Sequence, residues 1–247
     1  MNRDEQGAGL GPQLPLALRY PPDQRFDSFI APPVGALPAL SALATTAGAD
    51  WVYLSGASRT GKTHLALAVC AAAEQQGRRA AYLPLVAAAG RLRDALDALE
   101  GHDVVALDGL DAIAGAREDE VALFDFHNRA RASGLNVLYT ARGIPDDIGL
   151  VLPDLRSRLQ QCLRLVLDPL DDDGRREVLR DRAQRRGLVL EDAALGDPER
   201  GLAARAIQLL DDAPALEAMR LASRRLARLD GADNIAVLLA KAAERTH

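Results

Sequence analysis

Five short apolar runs, at 51–55, 79–85, 103–108, 136–140 and 163–168, punctuate the first two thirds of the chain. Each is strand-length and bounded by glycine, proline or charge, as a buried strand is. The segments between them carry a helical period instead, predicting helices over 62–75, 87–99, 118–132 and 154–160, with an earlier one over 37–46. Strands that alternate with helices predict an α/β fold: a five-stranded parallel sheet flanked by helices on both faces. Past Pro169 no strand pattern remains. Helical runs at 175–186, 203–212, 215–229 and 232–245, closed by Gly187, Gly201 and Gly231, predict a small C-terminal helical lid. The expected domains are a tail over 1–24, an α/β domain over 25–169 and the lid over 170–247.

The tail has its own pattern. Residues 1–12 are polar and glycine-rich, a composition that does not bury a core. Gln13-Leu14-Pro15-Leu16-Ala17-Leu18 is then a short apolar island, cut off by Pro21 and Pro22. An extended segment of this kind can place Leu14, Leu16 and Leu18 in a partner's hydrophobic groove while Gln13 bonds at its entrance. Covering the chain's own sheet is the other reading of these leucines, and their isolation by prolines favours the partner.

Composition narrows the function classes. With 247 residues, 48% hydrophobic and 26% charged, the chain can bury one substantial core and a smaller one. No apolar run reaches about 18 residues and the N-terminus lacks a signal-peptide core, so no membrane association and a cytoplasmic setting are expected. Two distant cysteines, Cys70 and Cys162, agree with a reducing compartment. The net charge of −5 argues against a protein whose main task is gripping DNA phosphates. Only Lys62 and Lys241 are lysines; the abundance of Arg and Ala reads as genome bias.

One of those two lysines stands in a phosphate-loop motif. Gly56-Ala57-Ser58-Arg59-Thr60-Gly61-Lys62-Thr63 fits G-x-x-x-x-G-K-[ST] and lies between a predicted strand and a predicted helix. Backbone N–H groups and the helix dipole favour an anion there. Lys62 offers its ammonium to the β- and γ-phosphate oxygens of ATP or ADP, and the Thr63 hydroxyl can bind Mg²⁺. Residues 56–63 with His64 are the expected cofactor contacts, although Arg59 and Thr60 replace the small residues of many such loops.

Asp108 ends the apolar run Val104-Val105-Ala106-Leu107, where an aspartate can hold Mg²⁺ through water. ATPases of this kind usually place a second acid next, to orient the attacking water. Here Gly109 follows, and glycine cannot polarise water. Weak or no ATPase activity of its own is therefore expected. Thr140 ends the fourth strand, either as a γ-phosphate sensor or as a plain strand-end threonine. Arg156 and Arg158 lie on a short helix before the last strand. An arginine there can reach a neighbouring subunit's nucleotide, or simply be a solvated face residue.

Together these segments resemble AAA+ ATPases of the DnaA family, over about residues 13–190. Residues 13–18, the Tyr20-Pro21-Pro22-Asp23 stretch and Phe26-Asp27-Ser28-Phe29 are similar to the N-terminal region of the family's regulatory inactivators. So are Gly61-Lys62-Thr63-His64-Leu65, Phe124-Asp125-Phe126-His127-Asn128-Arg129, Leu152-Pro153-Asp154-Leu155-Arg156-Ser157-Arg158-Leu159 and Arg186-Gly187-Leu188 to later family segments. The chain ends at His247 without room for DnaA's DNA-binding domain, which favours the regulatory branch. The resemblance implies binding of residues 13–18 to the DNA polymerase III sliding clamp (beta subunit), with DNA met only through the clamp. It also implies stimulation of hydrolysis of DnaA-bound ATP by Arg158, acting in trans as an arginine finger, so that replication does not re-initiate. Arg205 is the expected lid arginine reading the nucleotide, and homodimers or larger oligomers are possible partners. One departure stands out: Ala141-Arg142-Gly143-Ile144-Pro145 replaces the family's Asp-Arg-Pro-Pro.

Overall fold

The computed structural model describes residue 20 and residues 24–185. Five parallel strands, β1 (Val52–Gly56), β2 (Ala80–Pro84), β3 (Val104–Asp108), β4 (Asn136–Ala141) and β5 (Leu163–Leu167), form one sheet in the order β2-β3-β4-β1-β5. All four pairings are parallel. The expected sheet is thus present, and its order, invisible in the sequence, puts the phosphate-loop strand β1 between β4 and β5.

The strands read as continuous apolar runs because both faces are covered. Successive side chains still point to opposite faces. Tyr53, Val105 and Leu107 enter one core, with Leu85, Leu110, Ile113, Leu123 and Phe126. Val52, Leu54, Val104 and Ala106 enter the other, with Leu40, Leu43, Leu65 and Val69. Helices α1 (Ala36–Thr45) and α2 (Lys62–Gln75) cover this second face. On the first face lie α3 (Leu85–Ala88), α4 (Leu92–Asp97), α5 (Arg117–Ser133) and α6 (Pro153–Gln160). The last helix among the described residues is α7 (Asp172–Arg185), in the stretch where the lid is expected to begin. The predicted helices at 203–212, 215–229 and 232–245, and the tail segment 13–18, lie outside the described residues.

One predicted element divides. The helix expected over 87–99 is two helices, α3 and α4, separated at Gly90, whose φ is +78°. The cause comes from α5, nearly thirty residues on. The buried Asp119 carboxylate accepts the N–H of Gly90 at 2.7 Å and of Leu92 at 3.3 Å. The local apolar period is continuous across the break, so only this tertiary cap ends one helix and starts the next.

A second buried acid fixes the approach to α6. Glu120, with no exposed surface, accepts N–H groups from Gly115 at 2.7 Å, Val151 at 3.0 Å and Leu152 at 2.7 Å. Leu152 is the N-cap of α6, so this carboxylate of α5 sets where the helix bearing Arg156 and Arg158 starts. Among the described residues, no helix is long and apolar enough to cross a membrane.

Candidate functional site

The parallel sheet brings the carboxyl ends of β1, β3 and β4 to one edge, and of the sequence-predicted residues the loop 56–63, Asp108 and Thr140 gather there. Gly56 ends β1, the loop 57–61 follows, and α2 starts at Lys62 with Gly61 as its N-cap. Two features hold this loop tight against the sheet. A Cβ at Gly56 would lie 2.5 Å from the Leu167 carbonyl oxygen of β5, and one at Gly61 would lie 2.5 Å from the Phe29 ring. Gly61 also has φ of +96°, so glycine is required twice over. Arg59 takes φ of +66°, a conformation that costs a non-glycine residue energy. Such a left-handed residue belongs to backbone concavities that point N–H groups at an anion.

Lys62 folds over its own loop. Its Nζ donates to the Gly56 carbonyl and the Ala57 carbonyl, both at 2.6 Å. Burial lowers its pKa, opposed by the charges of Asp111 and Asp108. The ammonium is thus held on the carbonyls of its own loop, which an incoming phosphate would replace. Thr60 is buried and donates to the Ala57 carbonyl at 3.0 Å, closing the loop on itself. His64 turns the other way: its Nε2 lies 2.8 Å from the Arg25 carbonyl oxygen and 3.3 Å from Ser28 Oγ. Its ring meets Phe29 edge-on. The His64 side chain thus binds the 25–29 segment to the loop.

Asp108, at the end of β3, receives the Thr63 hydroxyl at 2.7 Å on Oδ2. Thr140, fully buried at the end of β4, donates its hydroxyl to Asp108 Oδ1 and accepts the Gly109 N–H at 2.9 Å. Thr63, Asp108 and Thr140 are thus one bonded set. The Thr63 and Asp108 oxygens are hard donors of the kind Mg²⁺ takes alongside phosphate and water.

Gly109 carries φ of +86°, as N-cap of the short 3-10 turn Leu110–Ala112. The position next to Asp108 is therefore shaped for glycine, not merely lacking an acid. Asp111 does not replace it. Its carboxylate accepts the Arg142 backbone N–H at 2.9 Å and pairs with Arg142 Nε at 3.4 Å. This ion pair ties the residue group following β3 to the one following β4, at the point where the sequence departs from the family pattern.

Arg158 is exposed on α6, flanking the buried Leu155 and Leu159, and bonds to none of the residues of this cluster among the described residues. Arg156 reaches Asp146 at 3.8 Å, whereas the Arg158 side chain has no ion pair among the described residues. Gln13, Leu14, Leu16, Leu18 and Arg205 lie outside the described residues. Sequence reasoning missed three contributors: Phe29 against Gly61, Arg142 on Asp111, and Tyr82, whose hydroxyl donates to Asp108 Oδ2 at 2.8 Å. Tyr82 had a signal, a polar tip in an apolar strand. The neighbour it would find depended on strand order.

Comparison with known proteins agrees with this geometry. Residues 52–145 match the family model described as ATPase family associated with various cellular activities (AAA). Domain III of the replication initiation protein DnaA from Thermotoga maritima superposes with a TM-score of 0.70 at 20% identity, covering 90% of this chain and 97% of that one. AMPPCP-bound DnaA from Aquifex aeolicus superposes at 0.62 with 18% identity, covering 85% of this chain and 71% of that chain. The Thermotoga maritima RuvB Holliday junction branch migration motor superposes at 0.56 with 21% identity, over 90% and 72% of the two chains. The fold is that of an AAA+ domain.

Proposed function

We propose that this AAA+ chain is a regulator of the Hda type, which holds a nucleotide and acts on a DnaA partner instead of turning over ATP itself. Residues 56–64 would hold ADP or ATP, with Lys62 on the phosphates and Thr63 and Asp108 toward Mg²⁺. A cation there neutralises charge on the phosphate oxygens. The observation that carries the reading is a division of labour. The position beside Asp108 is a left-handed glycine, while an exposed arginine with no ion pair among the described residues stands on α6. A chain so built lacks the group that orients water for its own nucleotide, yet can offer a guanidinium to another's.

In this mechanism residues 13–18 dock on the sliding clamp, and the clamp's DNA brings DnaA within reach. Arg158 then meets the charge that develops on the γ-phosphate of DnaA-bound ATP. Glu120 holds the start of α6 in place, and Arg205 reads the chain's own nucleotide from the lid. The alternative, a self-sufficient ATPase or helicase loader, is disfavoured because Asp111, the nearest other acid, is engaged by Arg142.

The test is ATP hydrolysis by DnaA mixed with this chain and DNA-loaded clamp, each omitted in turn. Hydrolysis should need both, and Arg158→Ala should lower the stimulated rate by on the order of 10³-fold, with Arg158→Lys restoring little. Changing Gln13 and Leu14 to Ala should remove the dependence on clamp. Unchanged DnaA hydrolysis in the complete mixture would sink the proposal, and turnover by this chain alone would restore the alternative.

A further inference from the structure

Asp108 is held by more than the phosphate loop. An ionised carboxylate offers about four acceptor directions, two on each oxygen. On Oδ2 both are taken, by the Thr63 hydroxyl at 2.7 Å and the Tyr82 hydroxyl at 2.8 Å. On Oδ1 one is taken by Thr140. A single acceptor direction therefore remains, on Oδ1.

Of the three donors, Thr63 belongs to the phosphate-loop motif and Thr140 ends the neighbouring strand β4. Tyr82 comes from β2 at the far edge of the sheet, where it pairs in register with Ala106, two residues before Asp108 on β3. Its ring packs against the core shared by Leu54, Leu65 and Ala106, so the hydroxyl is delivered by a rigid body and not by a loop. A tyrosine hydroxyl carries its own proton, and here it points that proton at Oδ2 from 2.8 Å. It is thus a permanent donor to Oδ2. Thr63 is not permanent in the same sense, since it is the residue that would offer its hydroxyl oxygen to a cation.

We propose that Tyr82 is a positioning residue for the divalent cation that accompanies the nucleotide. It clamps Oδ2 of Asp108 and so keeps the remaining acceptor direction of Oδ1 available to the cation's hydration shell. This rests on the nucleotide-binding reading above. Tyr82 touches neither phosphate nor cation in this scheme; it acts through Asp108, as partners of metal-binding carboxylates commonly do.

Tyr82→Phe tests it, since the ring that packs on the core is kept and only the hydroxyl is lost. Fluorescent ADP is titrated into the full chain, wild type and variant, across a range of Mg²⁺ concentrations and in EDTA. The expected result is an unchanged affinity in EDTA and a Mg²⁺ half-saturation point about tenfold higher in the variant, the scale on which such outer partners act. An equal loss of affinity in EDTA would assign the hydroxyl a purely structural role and overturn the proposal. So would an identical Mg²⁺ dependence in the two proteins. Failure of the wild type itself to bind ADP in either buffer would instead remove the nucleotide reading on which the proposal stands.

Discussion

At the scale of single residues, the chemistry depends on neighbours supplied from other strands. Thr140 was open to two readings from sequence, and the structure makes it the link between Asp108 and the Gly109 N–H. His127 is a clearer case of tertiary control. From sequence it carries no role of its own, yet it is buried against Trp51 and Tyr139, with Nδ1 3.0 Å from the Tyr139 hydroxyl. Burial foremost, then the charges of Arg131 and Arg158, lower its pKa to about 4. It is neutral in the folded chain and takes a proton on unfolding. Its contribution is therefore fully present above the unfolded value near 6.5 and is lost as pH falls toward 4. Urea midpoints at neutral pH and near pH 5 should differ by more in the wild type than in His127→Gln. The part removed is up to about 3 kcal/mol over the whole window.

At the scale of elements, buried carboxylates outweigh helical period. Asp119 divides a segment whose pattern is continuous, and Glu120 fixes the loop before α6. Both stand in the first turn of α5, the ordinary place for a charge that complements the dipole, yet each bonds backbone from a distant segment. Glu120→Ala strands the Gly115, Val151 and Leu152 N–H groups and should cost about 2–3 kcal/mol by denaturant unfolding. It should also reduce stimulation of the partner more than Lys241→Ala, since the α6 start point is released. The fate of α6 in the variant can be read by hydrogen exchange at 153–160.

At the scale of the whole molecule, the site exists because a parallel sheet aligns its carboxyl ends. β1, β3 and β4 contribute the phosphate loop, Asp108 and Thr140, and β2 adds Tyr82. The 25–29 segment is fastened on top by His64 and Phe29, so the loop's shape is coupled to the chain that precedes it. If the site holds nucleotide, ligand must stabilise the folded state by mass action. ADP with Mg²⁺ at about 100 times its Kd should add about 2.7 kcal/mol, seen as a raised Tm. Lys62→Ala should remove that rise while leaving the unliganded Tm close to wild type, since its amine bonds only two carbonyls of its own loop.

The amino-acid sequence by itself determined the elements and the phosphate loop. Apolar runs of strand length and a Gly-Lys-Thr at a strand–helix junction are local signals, and local sterics and hydrogen bonding suffice to read them. It also placed Asp108 and the glycine beside it, because strand ends are marked by the change from apolar to polar. What only the tertiary structure decided is which residues meet. Strand order put Tyr82 and Thr140 on Asp108, the return of α5 split one helix in two, and Arg142 took the acid at position 111. Each of these is a contact between segments far apart in the chain, and no periodicity within a segment carries information about the surface it will be packed against.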